Sequence, residues 1–231
     1  MKTFIALAAG LVVASSLPLM GQSITWNLGG SGGGGTTGNT RTFTQSGVKV
    51  TAKAWSYTFG SSNSAFEAAK LGQYGPGLGV TNNEEDGSSP FHQVDNSGQN
   101  DYILFVFDTL VDVGSLQIQP SPGPYDRDVT YWVGNISNSN LNSVTYSGLA
   151  SLGFMSEQTD LSTSSSSSRI VAINSPAGVN AILFGTKRGV VSGAEVDAFK
   201  VGTISATVVP EPSAAILSIV GALGFCVRRR R

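Results

Sequence analysis

Tyr102-Ile103-Leu104-Phe105-Val106-Phe107 is an unbroken apolar run bounded by Asp101 and Asp108. A run this short, rich in aromatic and β-branched residues, predicts a strand buried on both faces or at the core between packed layers. The rest of the chain repeats the theme. Residues 41–58 alternate polar side chains with Phe43, Val48, Val50, Ala52 and Ala54, then less regularly with Trp55 and Tyr57. Val129, Tyr131 and Val133 alternate with Thr130 and Trp132, and 181–184 and 196–209 add further β-patterned segments. Gly, Pro, Asn and Ser clusters punctuate them. Residues 63–71 alone read as helix, with Phe66, Ala69 and Lys70 following an Asn63 or Ser64 cap. Many short strands without βα alternation predict an all-β domain, an antiparallel β-sandwich of jelly-roll type.

Composition narrows the chemistry. Among 231 residues there is one Cys and one His, which excludes an internal disulfide, a Cys-based zinc site and any His-pair metal site. A Ser-His-Asp triad would have to use His92, which follows Pro90-Phe91 and has no nucleophile-elbow motif near any serine. His92 therefore reads as a structural hydrogen-bonding residue, and the chain as non-enzymatic. The glycine-rich stretch 29–38 lacks the Lys-Ser or Lys-Thr and the helix of a phosphate-cradling loop. It reads as a strand connection. The Ser/Thr tract 162–168 reads as a solvated loop, with O-linked glycan attachment as its functional alternative.

Oxygen ligands are the abundant resource. Residues 84–128 hold nine acids against one base, Arg127. Such a belt repels nucleic acid and anionic lipid and suits hard cations. Glu84, Glu85, Asp86, Asp95, Asn96 and Asp101, with Asn82 and Asn83 nearby, form the candidate metal set. Calcium is the cofactor such a set would take, because it accepts six to eight oxygens from carboxylates, amides and carbonyls. The spacing is not that of an EF-hand, so the expected role is to pin loops, and solvated loop charge is the competing reading. Tyr125, Asp126, Asp128 and Trp132 form a candidate glycan-contact set, with core packing as the alternative for Trp55 and Trp132. A paired-carboxylate glycosidase ranks third, with no pair singled out.

Both ends read as addresses. Lys2, an apolar run over 4–13 and small residues up to Gly21 have the three parts of a secretory signal peptide, 1–21. At the other end, Pro210-Glu211-Pro212 precedes an apolar stretch over 214–227 and then Arg228-Arg229-Arg230-Arg231. Arginines beside an apolar segment predict a helix whose C-terminal end stays cytoplasmic, although the stretch is shorter than the roughly 20 residues of a usual span. The domain between, 22–208, keeps nine of fourteen basic and fourteen of fifteen acidic residues, for a net charge of −5.

The ordered trio of Pro-Glu-Pro, hydrophobic helix and arginine cluster over 209–231 resembles the PEP-CTERM sorting signal of exported bacterial proteins. The resemblance implies export through the Sec machinery and transient anchoring in the inner membrane by the C-terminal helix. It further implies that a membrane-embedded exosortase recognises Pro210, Glu211 and Pro212, removes the tail and releases the rest to the cell surface or extracellular matrix. The domain carries a fainter likeness to a module of such proteins in Gly77-Leu78-Gly79-Val80, Glu84-Glu85-Asp86-Gly87, His92-Gln93-Val94-Asp95-Asn96, Asp126-Arg127-Asp128 and Asp197-Ala198-Phe199-Lys200-Val201. That likeness implies location and fold, not chemistry. The expected role is structural, in envelope, exopolysaccharide or biofilm, with a calcium-assisted carbohydrate-binding module as the alternative.

Overall fold

A computed structural model describes residues 21–58, 64–87, 92–121, 123, 125–162, 167–189 and 196–210. Residues 1–20, expected to belong to a signal peptide, lie outside the described residues, as do the apolar stretch 214–227, the arginine cluster, Glu211, Pro212 and the serines at 164–166. Among those described, no helix is long and apolar enough to cross a membrane.

Over the described residues the domain is all-β, and its strands join in one antiparallel sheet of 13 strands. In chain order these are β1 (Ser23–Asn27), β2 (Thr40–Gln45), β3 (Val48–Thr58), β4 (Phe66–Ala68), β5 (Lys70–Tyr74), β6 (Gly77–Thr81) and β7 (Val94–Asp95). They continue with β8 (Gln99–Pro120), β9 (Val129–Gly134), β10 (Gln158–Asp160), β11 (Arg169–Ala172), β12 (Val179–Thr186) and β13 (Ala198–Val208). A short 3-10 turn at Leu149–Leu152 interrupts the β pattern. Of the helix expected over 63–71, the described residues 64–71 instead hold two short strands, β4 and β5. Phe66, Glu67 and Ala68 pair with Tyr57, Ser56 and Trp55 of β3, while β5 turns through Gly75-Pro76 into β6. Sheet pairing on both sides overrode a weak local helical pattern.

The apolar run sits at the heart of the longest strand. β8 has 22 residues and changes partners along its length. Its first half pairs with β3 on one side and β12 on the other, from Tyr102 opposite Trp55 and Gly185. Its second half pairs with β13 and β11, as at Leu116 opposite Ile204 and Val171. Side chains alternate across a strand, and both faces of the first half are buried. Ile103, Phe105 and Phe107 enter a core with Trp26, Leu116, Ile118, Phe184, Phe199 and Ile204. Tyr102 and Leu104 point the other way, into a second cluster with Trp55, Tyr57, Phe66, Trp132 and Phe154. The same run thus stabilises two cores, which is why it carries no polar residue.

Local chemistry sets the pairings that position the acidic turns. The β-patterned stretch 41–58 is a hairpin whose two-residue turn, Ser46-Gly47, has φ of 51° and 80°. Positive φ at both central residues gives the turn a twist that matches the flanking strands. In β6, a Cβ on Gly79 would run into the His92 carbonyl oxygen. The absent side chain lets the 92–93 backbone lie against β6, where Val80 N–H donates to Gln93 O at 2.9 Å. Through that contact the turn after β6 and the turn after β7 become neighbours.

Candidate metal centre

Three segments distant in sequence bring their acids together. Glu85 comes from the turn after β6, Asp95 from β7 and Asp101 from the start of β8, and one carboxylate oxygen of each lies within 4.8 Å of the others. Ca–O bonds of ~2.4 Å allow one ion to bridge donors so spaced. Asn82 organises the turn: its N–H donates to Glu85 Oε2 at 3.0 Å, and its Oδ1 accepts from Glu84 N–H at 3.0 Å. Its Nδ2 reaches Asp101 Oδ1 at 3.4 Å. On the other side Asp95 Oδ1 accepts from Ser97 N–H at 3.0 Å, and β7 is fixed by pairing of Asp95 with Ala198 of β13.

These hydrogen bonds leave the centre unsatisfied. Asp101 is 0% exposed, yet its Oδ2 has no hydrogen-bond partner among the described residues, and neither has the buried Oε1 of Glu85. Buried acceptors without partners are costly, and buried carboxylates without a counter-charge more so. Burial pushes all three carboxyls upward. Glu85 rises to about 8, with the Asp95 charge adding to burial. Asp95 rises to about 7, restrained by the Ser97 N–H and the Lys200 charge. Asp101 goes well above the usual carboxylate range, through burial first and then its neighbours Asp95 and Glu85. Lys200 is buried with its Nζ 4.8 Å above the Tyr74 ring. Burial lowers the Lys200 amine to about 8 while attraction to Asp95 opposes that change.

Glu84 and Asp86 are exposed beside the trio. With Glu85, Ser97 and Gly98 they line a surface hollow of about 380 Å³. Asn96 turns away from the three acids. Its Oδ1 accepts from Asp197 N–H at 2.9 Å and its Nδ2 donates to Asp197 Oδ2 at 2.7 Å.

Asp197 belongs to a second acidic group with Asp126 and Asp128. Here protein donors meet the oxygens. Asp197 Oδ1 accepts from Asp128 N–H at 2.6 Å, and Asp128 Oδ1 accepts from Ser162 N–H at 2.6 Å. Lys187 Nζ lies 3.2 Å from Asp128 Oδ2, and Asp126 Oδ1 accepts from Arg127 N–H at 2.8 Å. Burial, more than the nearby Asp128 and Asp126 charges, lifts Asp197 to about 7.

The glycan-contact set does not assemble. Tyr125 is half-buried, Asp126 and Asp128 are tied into the second group, and Trp132 is 3% exposed in the aromatic core. There it stacks on Tyr146, with ring centroids 5.6 Å apart. All six residues of β9 are buried, with Val129, Tyr131 and Val133 in the first core and Trp132 in the second, so among the described residues the Trp132 ring lines no groove. Trp55 is buried likewise. His92 packs on Tyr74 at 4.5 Å between ring centroids. Residue pattern alone missed Lys200 and Asp197 as partners of these acids. The signal was present in Asp197-Ala198-Phe199-Lys200, a charged residue at each end of a strand entry that pairs with Asp95.

No family model, curated protein or solved structure matches the chain.

Proposed function

We propose that the chain is an exported, non-enzymatic surface or extracellular-matrix protein whose β domain is locked by a hard divalent cation, calcium, at Glu85, Asp95 and Asp101. The observation that carries the cation reading is the fully buried Asp101, whose Oδ2 accepts no hydrogen bond among the described residues and stands against two further carboxylates. An ion there would supply the missing charge and join the turn after β6 to β7 and β8. A glycosidic bond fits the trio poorly, since Asp95 and Asp101 are both buried and a catalytic pair must flank its substrate.

The sandwich reading of the sheet belongs to this proposal. It is supported by the partner change along β8 and by the core that gathers residues from both its halves. Export and exosortase processing rest on the two terminal segments. Secretion puts the domain where calcium is plentiful, and a net charge of −5 on 22–208 would be partly neutralised by the ion.

Thermal unfolding of the full chain in calcium and in chelator tests the cation reading. A ligand held at a hundred times its Kd stabilises the native state by ~2.7 kcal/mol, so a rise of several degrees is expected in calcium. An unchanged midpoint would mean that protons, not a cation, neutralise the trio. Replacing Pro210, Glu211 and Pro212 with alanine tests the sorting reading: the precursor should stay unprocessed in the membrane fraction, and normal release would remove that assignment.

A further inference from the structure

We infer that the cation at Glu85, Asp95 and Asp101 keeps an open face toward the adjoining hollow, and that this face takes paired hydroxyls of a neutral sugar. The inference rests on the cation reading above. Glu85 belongs both to the trio and to the wall of the hollow, while Asp95 and Asp101 are buried and are not among the described residues that line it. Calcium takes six to eight oxygens, and Glu85 Oε2, Asp95 Oδ1 and Asp101 Oδ1 already accept hydrogen bonds from protein N–H groups. The remaining positions fall to water or to a ligand entering from the hollow. Its volume of about 380 Å³ is near the lower end of small-molecule sites, which start at roughly 300 Å³. That is room for a ligand of sugar size.

Charge selects among the sugars. Glu84, Glu85, Asp86, Asp95 and Asp101 surround or border the ion, with Lys200 the cation beside Asp95. A divalent ion and one ammonium leave that group of acids net negative, so a uronate or phosphate meets repulsion where a neutral diol does not. No aromatic ring is among the described lining residues, which leaves hydroxyl coordination rather than ring stacking as the source of affinity.

Titration calorimetry on the chelator-stripped full chain tests this, adding calcium first and then methyl mannoside, methyl galactoside or methyl glucuronide. A neutral glycoside should bind only with calcium present, and the glucuronide about tenfold more weakly or worse. Ser97→Phe fills the hollow and keeps the backbone N–H that Asp95 accepts. It should weaken glycoside binding by about tenfold or more with calcium affinity retained. Glu84→Gln with Asp86→Asn, both at exposed positions, should narrow the gap between glucuronide and neutral glycoside. Calcium binding without any glycoside binding overturns the inference and leaves the cation site standing. Glycoside binding that survives chelation or Ser97→Phe also overturns it. Failure of calcium itself to bind overturns both.

Discussion

The two acidic groups of this domain each gather three carboxylates, yet they solve the burial of charge in opposite ways. Asp126, Asp128 and Asp197 are met by backbone N–H groups, an asparagine amide and the Lys187 ammonium. Glu85, Asp95 and Asp101 leave a fully buried carboxylate oxygen with no donor among the described residues. Clustering of acids says little by itself. The donors around them separate a structural knot from a site that awaits an ion.

The largest expected effect comes from breaking the satisfied group. Asp197→Ala strips the acceptor from Asp128 N–H and Asn96 Nδ2, both buried, and should cost about 3 kcal/mol. Urea unfolding should show that loss equally in calcium and in chelator. Asp101→Asn acts on the other group with the opposite sign. It keeps the shape, removes one uncompensated carboxylate and gives the site an N–H donor. Stability in chelator should rise by about 2 kcal/mol, while the calcium-dependent increment disappears.

Acidity sharpens the contrast further. The folded-state values lie above the unfolded ones, from 4.5 to about 8 for Glu85, and from 3.8 to about 7 for Asp95 and for Asp197. In that window the native state holds more protons than the unfolded chain, so stability falls as pH rises. In chelator the contribution of these groups is complete below the unfolded values and is lost by their folded values. Calcium should restore the Glu85 and Asp95 share at the alkaline end and leave the Asp197 share unrestored. Unfolding midpoints at about pH 5 and about pH 8, with and without calcium, check this. The smallest effect belongs to Lys187→Met. That ion pair to Asp128 spans 3.2 Å with the lysine half exposed, and its loss should cost less than about 1 kcal/mol in urea unfolding.

How far the sequence carried these conclusions depended on the range of the interaction. The run 102–107 announced a strand buried on both faces because its apolarity needs no partner to be read, and β8 has two covered faces there. The stretch 63–71 misled because its pattern is local, whereas its structure is decided by pairing with Tyr57, Ser56 and Trp55 and with β6. The metal set was legible as composition, and Glu85, Asp95 and Asp101 do converge. Which acids converge was not legible. Asn96 carries the same oxygen chemistry as its neighbours but is claimed by Asp197, about a hundred residues along the chain. Trp132 offered the same ambiguity between surface and core, and β9, covered on both faces, resolved it into the aromatic core.

Direct calcium titration of the stripped wild-type chain beside Asp101→Asn and Asp126→Asn tests the central claim most directly. The expected result is one calcium ion per wild-type chain, affinity weakened by about tenfold or more in Asp101→Asn, and wild-type affinity in Asp126→Asn. Equal affinity in all three chains, or no binding to the wild type, would contradict it.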